Sequence, residues 1–238
     1  MTRQKKRKRR RGTQSVLGLI IIITSIYFFL HTSIFNISTI TVQDNTFLSK
    51  EQILGVAAIN QGENIWQLNE VAVRERIRLL PQIKSVAIKR KLPDAIIISI
   101  KERIPIAVVV ADGQALKLDR FGVNLGSGEL NGILPIITGV ELKTTPAPGE
   151  EAKGENLFLA LEVARWLVDL KADFVAEIDV SETPMIKVYT EQGIEIRLGD
   201  EEKLEEKITA AKIIISEVSK KQTIDYIDVS YRPVVKVK

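Results

Sequence analysis

The stretch "IKSVAIKRKLPDAIIISIKERIP", residues 83–105, predicts two paired strands that end at a domain junction. Two runs rich in β-branched residues, 83–90 and 95–103, lie on either side of the turn "KLPD". Pro105 has no backbone N–H to donate to a neighbouring strand, so it is predicted to end the second strand.

The end of this hairpin also carries a charged pair. Glu102 and Arg103 are consecutive in an extended segment, so their side chains point to opposite faces. We expect one of them to pair with the neighbouring domain. Together with Pro105, they are interpreted as a structural hinge at the domain junction in preference to a catalytic pair.

The residues before the hairpin predict one strand and two helices. Residues 37–42, "ISTITV", alternate as a strand does. The sequence "SKEQ", 49–52, is a capping box and predicts a short helix that reaches about Ala58. A second helix is predicted to begin after Asn69 and to end before Pro81. The resulting order is β-α-α-β-β, with the two helices covering one side of the sheet.

The residues after the hairpin predict a different domain. Short apolar strands alternate with turn dipeptides such as Asp-Gly, Phe-Gly and Gln-Gly. Two amphipathic helices are predicted over roughly 155–170 and 200–220. The sequence thus predicts an α+β protein in which residues 36–104 form the β-α-α-β-β domain. Residues 105–238 are expected to form a mostly antiparallel β domain with helices.

The N-terminal tail, residues 1–15, is strongly basic. Its eight Lys and Arg residues are Arg3, Lys5, Lys6, Arg7, Lys8, Arg9, Arg10 and Arg11. Such a cluster can bind nucleic acid, but no aromatic residue is interleaved and eleven residues are too few for a recognition fold. We favour a topogenic tail that contacts anionic membrane lipid, and we expect no nucleic-acid partner.

Residues 16–35, "VLGLIIIITSIYFFLHTSIF", are predicted to form a transmembrane helix. Val16–Leu30 carry no charge, and a segment of about twenty residues matches the hydrocarbon core of a bilayer, which is roughly 30 Å thick. A cleaved signal peptide is the alternative, but residues 30–35 lack its small-residue cleavage motif. The positive charges before the helix predict a cytoplasmic N-terminus in a single-pass protein whose bulk is extracytoplasmic.

The sequence offers little for catalysis. His31, at the predicted membrane boundary, is the only histidine, and cysteine is absent. A catalytic triad and a His- or thiolate-ligated metal site are therefore excluded from the extracytoplasmic part. Carboxylates alone can hydrolyse glycosides, but the acidic residues here mostly neighbour Lys on helix faces or in turns. We expect no enzyme activity, no cofactor and no small-molecule substrate.

Several motifs, in order, resemble one known family. The stretch 80–109 resembles the FtsQ/DivIB family of bacterial cell-division proteins at Pro81, Val86, Ile88, Arg90, Pro93, Ile98, Ile100, Glu102, Arg103 and Pro105. The resemblance continues through "LKLDRFGV" (116–123), "LPIITG" (134–139), "GIEIRLGD" (193–200) and "IDYIDVSY" (224–231). It covers essentially the whole chain and implies that residues 36–104 form a POTRA-type domain.

The resemblance implies a scaffold in the bacterial cytoplasmic (inner) membrane, at the division septum. Its POTRA-type domain would contribute to recruitment, and its β domain would hold other division proteins, especially small single-pass coiled-coil ones. The alternative is a POTRA-type chaperone or secretion component for envelope proteins. Repeated POTRA domains or an attached membrane β-barrel would mark that alternative, and the sequence predicts neither.

The last strand is the predicted partner-binding element. In "IDVSYRPVVKVK", 227–238, Val235 and Val237 alternate with Lys236 and Lys238. An extended partner segment can add to an open sheet edge. Lysine on an edge also protects against aggregation, so a strand that merely closes the sheet stays open as an alternative. The candidate residues for strand addition are Tyr231, Arg232, Val234, Val235, Lys236, Val237 and Lys238.

Overall fold

A computed structural model describes residues 3–128, 134–218, 224–231 and 233–237, with side chains from Gln14 onward apart from residues 218 and 237. The chain divides into two compact units. One comprises Met1–Arg78 with Ile83–Glu102, and the other comprises Leu79–Gln82 with Arg103–Lys238. In the described residues the first unit contains a three-stranded sheet and the second a nine-stranded sheet.

The first unit has the predicted β-α-α-β-β order. After helix α1 (Arg3–Leu30) come β1 (Thr39–Gln43), α2 (Lys50–Ala57), α3 (Glu70–Arg78), β2 (Ile83–Lys91) and β3 (Ala95–Glu102). Strand β3 lies in the middle of the sheet, parallel to β1 and antiparallel to β2. The predicted hairpin, 83–103, is therefore confirmed to within one residue at each end.

Local capping explains where the two short helices begin. The Ser49 side chain accepts a hydrogen bond from the Gln52 amide, and the Gln52 side chain accepts one from the Ser49 amide. Asn69 Oδ1 accepts from the Ala72 amide in the same way. Both contacts involve residues close in sequence, and both predicted helix starts are confirmed.

In the described residues, the second unit contains seven strands followed by a C-terminal pair of strands. Its elements are β4 (Pro105–Ala111), β5 (Gln114–Asp119), β6 (Asn124–Ser127), β7 (Ile136–Thr138), α4 (Leu157–Asp169), β8 (Val175–Glu182), β9 (Met185–Thr190), β10 (Glu195–Gly199), α5 (Leu204–Val218), β11 (Ile224–Asp228) and β12 (Val234–Val237).

In the described residues these strands form one sheet in the order β12-β11-β10-β9-β8-β7-β4-β5-β6. Five of its strand pairs are antiparallel, whereas β4–β7, β7–β8 and β10–β11 are parallel. The β-rich character is confirmed. Apolar side chains of the sheet, among them Ile178, Ile196 and Ile227, share a buried core with Leu161 of α4 and Ile208 of α5.

One strand boundary differs from the sequence prediction, and one strand was not predicted. Strand β3 ends at Glu102, and Pro105 begins β4 instead of ending the preceding strand. The first residue of a strand tolerates proline, because its missing N–H removes no bond from the interior of the ladder. Strand β6, "NLGS", was not predicted, because its sequence lacks the alternation of apolar and polar residues.

The predicted transmembrane segment, 16–35, is not one continuous helix. Helix α1 ends at Leu30, and Ser33–Phe35 form a separate turn of 3₁₀ helix. The Asn64 side chain donates to the Leu30 carbonyl (2.8 Å), and Thr32 Oγ1 donates to the Phe29 carbonyl (2.7 Å). These bonds satisfy carbonyls at the helix end. Within the described residues, no helix combines the length and the apolar character needed to cross a membrane.

Candidate functional site

Strand β12 is the outermost strand of the large sheet. It pairs antiparallel with β11, with Val235 opposite Ile227 and Lys236 opposite Tyr226. No strand of the described residues pairs with its other side. The backbone N–H and C=O groups on the outer side of β12 are therefore open to hydrogen bonds with an extended segment from outside the sheet.

A short turn directs the chain from β11 into this edge. Asp228 Oδ1 accepts hydrogen bonds from the Ser230 amide (3.0 Å) and hydroxyl (2.6 Å). The Val229 amide donates to the Arg197 carbonyl (3.0 Å), which ties the turn to β10. At Gly199, where φ is +73°, a Cβ would lie 2.7 Å from Ser230 Cβ. Glycine is therefore required for β10 and the turn to approach this closely.

The side chains of the edge divide between the core and the surface. Val235 is half-buried and packs against the core, whereas Val234 is exposed. Tyr231, in the turn, is 92% exposed. A tyrosine combines a large apolar ring with a polar hydroxyl, and it is one of the residue types that contribute most to protein interfaces.

The charges at the edge are largely compensated within the sheet. Lys236 Nζ lies 3.1 Å from Asp225 Oδ2 and 5.7 Å from the centre of the Tyr226 ring. Arg197 Cζ lies 4.3 Å from the centre of the same ring. Arg197 Nε donates to Glu195 Oε1 (2.6 Å), and this bond raises the pKa of the arginine above its ordinary value. Lys236 is thus already paired.

A groove of about 380 Å³ lies beside the edge. Its lining includes Asp200, Lys207 and Ala210 on one side and Ser230, Tyr231 and Pro233 on the other. Lys207 Nζ donates to Asp200 Oδ1 (2.7 Å) and to the Asp200 carbonyl (3.0 Å). The bond to Lys207 lowers the pKa of Asp200. The groove has room for a side chain of a segment that lies along β12.

Some residues of this site were missed by sequence reasoning. Arg197 lies in β10, Asp200 follows that strand, Lys207 lies in α5 and Tyr226 lies in β11, and no single short motif contains all four. An extended conformation of "IDYIDV", 224–229, places Tyr226 and Asp228 on the same face. Of the predicted edge residues, Arg232 and Lys238 lie outside the described residues, and of Val237 only the pairing with Ile224 is described.

The predicted junction residues make separate contacts. The Glu102 carboxylate accepts hydrogen bonds from the amides of residues 46, 47 and 48, within the first unit. Arg103 NH1 donates to Asp119 Oδ2 (2.6 Å) within the second unit, where Asp119 is 2% exposed. Pro105 begins β4. Both charged side chains thus support local backbone or ion-pair structure.

The predicted lipid-facing residues lie along one helix. The structure places the backbone of Arg3, Lys5, Lys6, Arg7, Lys8, Arg9, Arg10 and Arg11 in α1. No group of three or more potential metal ligands comes together in the described part of the chain.

Comparisons with known proteins identify relatives for both units. Residues 35–103 match the family model "POTRA domain, FtsQ-type", and residues 103–230 match "Cell division protein FtsQ/DivIB, C-terminal". Cell division protein DivIB of Clostridium botulinum (strain Hall) is 29% identical over 233 residues, which cover 94% of this chain and 91% of that protein. DivIB of Bacillus subtilis (strain 168) is 33% identical over 90 residues, 37% of this chain and 34% of that protein.

A solved structure was also matched. It is the major extracytoplasmic domain of DivIB from Geobacillus stearothermophilus, at 16% identity and a TM-score of 0.32, and the match covers 51% of this chain and 98% of that one. This similarity is too low for a comparison of the two folds.

Proposed function

Because this chain belongs to the FtsQ/DivIB family of cell division proteins, we propose that it is a single-pass membrane scaffold of the division machinery. In this proposal it recruits and holds other division proteins at the septum and performs no catalytic step. Residues 1–15 form the cytoplasmic tail, 16–35 contain the anchor, 36–104 form the POTRA-type domain and 105–238 form the partner-holding β domain.

The observation that carries the proposal is the open edge at β12. The opposite edge strand, β6, is occupied by its own chain: the Asn124 amide donates to the Glu150 carbonyl, and the Gly149 amide donates to the Asn124 carbonyl. The Gln82 side chain donates to the Leu125 carbonyl as well. Within the described residues β12 has no such cover on its outer side. An added strand gains main-chain hydrogen bonds there.

The partner we propose is a small single-pass division protein with a coiled-coil segment, which contributes one extended stretch beside β12. The exposed side chains of Tyr231 and Val234 can pack against apolar groups of that stretch, and Val235 packs against the core. Lys236 is neutralised by Asp225, so it does not oppose an uncharged stretch. Arg232, Val237 and Lys238 complete the proposed binding segment.

The composition and exposure of α1 support the proposed anchor. Residues 12–30 include no charged side chain, so this part of α1 carries none of the groups that are costly to place in lipid. Large apolar side chains along it, such as Ile21 and Phe28, are more than half exposed. The preceding basic residues favour a cytoplasmic N-terminus and contact with anionic lipid.

A membrane pull-down tests the edge. The full chain, a chain ending at Tyr231 and a Tyr231→Ala/Val234→Ala variant are captured from solubilised bacterial membranes, and co-purifying division proteins are quantified. We expect both altered chains to recover at least tenfold less partner. Phe47→Ala, which removes an exposed aromatic ring from the first unit, is the matched control and is expected to recover the normal amount.

The outcomes separate this role from its alternative. Full partner recovery by a folded chain ending at Tyr231 contradicts strand addition at β12. Depletion of the protein is expected to produce filamentous cells that lack septa. Normal septa together with defective export of envelope proteins would instead indicate a chaperone or secretion component.

A further inference from the structure

A second concave surface lies on the β-rich unit, on the β5–β6 side of its sheet. It is a groove of about 500 Å³ between the turn after β5, the loop 143–154 and the first half of α4. We call it the basic groove. In the strand order, β5 and β6 stand at one end of the sheet and β12 at the other, so a segment bound along β12 leaves the basic groove free.

The floor of the basic groove is apolar. Leu157 and Leu161 line it, one helical turn apart, and both are almost fully buried. Phe158, which follows Leu157 in α4, is 72% exposed and forms part of the wall. An apolar side chain that enters the groove would therefore contact leucine methyl groups and an aromatic ring, and would be removed from water.

The rim of the basic groove is cationic. Arg120, Lys143, Lys153 and Arg165 line it, against a single carboxylate, Glu151. The Arg165 guanidinium lies 5.3 Å from the centre of the Phe158 ring and donates from Nε to the Leu161 carbonyl. Among the described residues, neither Arg165 nor the two lysines form an ion pair, and only Arg120 has an acidic partner, Asp169 at 3.6 Å.

The positive charge of this rim is opposite in sign to the net charge of the chain beyond residue 11. Beyond residue 11 the chain carries 26 basic and 30 acidic side chains, because eight of its 34 Lys and Arg residues lie in the tail. A local excess of cations on an otherwise acidic body attracts anionic partners and repels the chain's own acidic surface. The cationic rim is thus complementary to acidic groups of a ligand, and the apolar floor is complementary to an apolar side chain of the same ligand.

We infer that the basic groove binds an acidic peptide segment that carries one large apolar side chain, supplied by a partner protein. The apolar side chain occupies the floor, and flanking carboxylates pair with Arg165, Lys153 and Lys143. A free phosphate or sulfate would leave the apolar floor unused. A bilayer surface is too flat to reach a floor that is recessed between a loop and a helix. This is a second docking surface, independent of the strand addition proposed at β12.

Peptide selection on the full chain tests the inference. The purified full-length protein, in detergent micelles, is exposed to a random twelve-residue peptide library displayed on phage, with counter-selection on a Lys153→Gln/Arg165→Gln variant. We expect the retained peptides to contain at least three Asp or Glu residues around a Phe, Leu, Ile or Trp. The affinity of the most enriched peptide is then measured by fluorescence anisotropy.

The variants separate the two halves of the proposed contact. We expect Lys153→Gln/Arg165→Gln to weaken that peptide at least tenfold, and Phe158→Ala to weaken it three- to tenfold. The control, Lys50→Gln/Lys89→Gln, removes two exposed lysines from the other unit and is expected to leave binding unchanged. Because the contact is partly ionic, affinity should fall as salt rises from 50 to 300 mM.

Three results would overturn the inference. The first is selection of no peptides in excess of the counter-selected variant, and the second is selection of peptides without acidic residues. The third is that phosphatidylglycerol vesicles bind, that peptides do not, and that vesicle binding is lost in the Lys153→Gln/Arg165→Gln variant. The basic tail is intact in both the variant and the unaltered protein. The chain ending at Tyr231 should keep its peptide affinity, so failure at the groove and failure at β12 are distinguishable.

Discussion

The two edges of the nine-stranded sheet are built in opposite ways. At the β6 edge the polar groups are buried: Asp119 and Asn124 are 2% and 1% exposed, and each is fully engaged by its own chain. At the β12 edge Lys236 and Asp225 are more exposed, with side chains 59% and 35% exposed, and their ion pair lies at the surface. Changes at the first edge are therefore expected to lower stability, and changes at the second to alter partner binding with little loss of stability.

The largest effect is expected at Asp119. Its carboxylate pairs with Arg103 and also accepts hydrogen bonds from the amides of Phe121 and Val123. Asp119→Ala leaves a mostly buried guanidinium and two amides without their acceptor, so we expect a loss of about 3–5 kcal/mol in the free energy of unfolding. Urea unfolding is followed by Trp166 fluorescence in a Trp66→Phe background.

The adjacent exposed arginine is the control for Asp119. Arg120→Ala removes only a surface pair with Asp169, so a change below about 1 kcal/mol is expected. Equal effects of the two substitutions would show that burial does not distinguish this edge.

The next effect concerns the approach of β10 to the turn before β12. Gly199→Ala combines a positive φ with a Cβ only 2.7 Å from Ser230 Cβ, and we expect a loss of roughly 2–4 kcal/mol. Gly193→Ala has a similar φ but nothing within 4 Å of its Cβ, and about 1–2 kcal/mol is expected there. The same unfolding experiment measures both, and equal losses would contradict the close packing.

A smaller effect is expected at Asn124. Its side-chain Nδ2 donates to the Pro146 carbonyl (2.9 Å), and its side-chain Oδ1 accepts a hydrogen bond from the Gly126 amide (2.8 Å). Asn124→Ala leaves both buried groups unpaired, which costs about 1–3 kcal/mol. Hydrogen exchange should also become faster at residues 149–152, which cover the β6 edge. Thr145→Ala, in the exposed part of the same loop, should change neither quantity.

The smallest effect is expected from Asp200, the more exposed partner of Lys207 near β12. Since Lys207 lowers the pKa of Asp200 from its ordinary value of 3.8, the folded state gains stability above that value and loses it as pH falls through the lowered pKa. Asp200→Asn should therefore be slightly less stable than the unaltered protein at pH 6 and equal to it near pH 2. Asp173→Asn, at an exposed residue without an ion pair in the described part of the chain, should show no such difference, and thermal unfolding between pH 2 and 6 compares the three proteins.

Elements set by neighbours in sequence were predictable. The helix starts at Ser49 and Asn69 depend on contacts three residues away, and the hairpin 83–103 pairs two strands that are consecutive in the sequence. The structure contains all three. The end of α1 was not predictable, because the Leu30 carbonyl is bonded by Asn64, thirty-four residues later. Strand β6 was missed for the same reason, since loop residues from 149 onward hold it in place.

The sequence by itself determined the division into a β-α-α-β-β unit and a β-rich unit, the basic tail, and the family, because alternation, capping and motif order are local properties. Only the tertiary structure decided which strand edge is covered and which is open. It also brought Arg197 and Lys236 to the Tyr226 ring and gathered four cations around Leu157 and Leu161. These arrangements depend on pairing between distant segments, and local sequence patterns do not specify which segments pair.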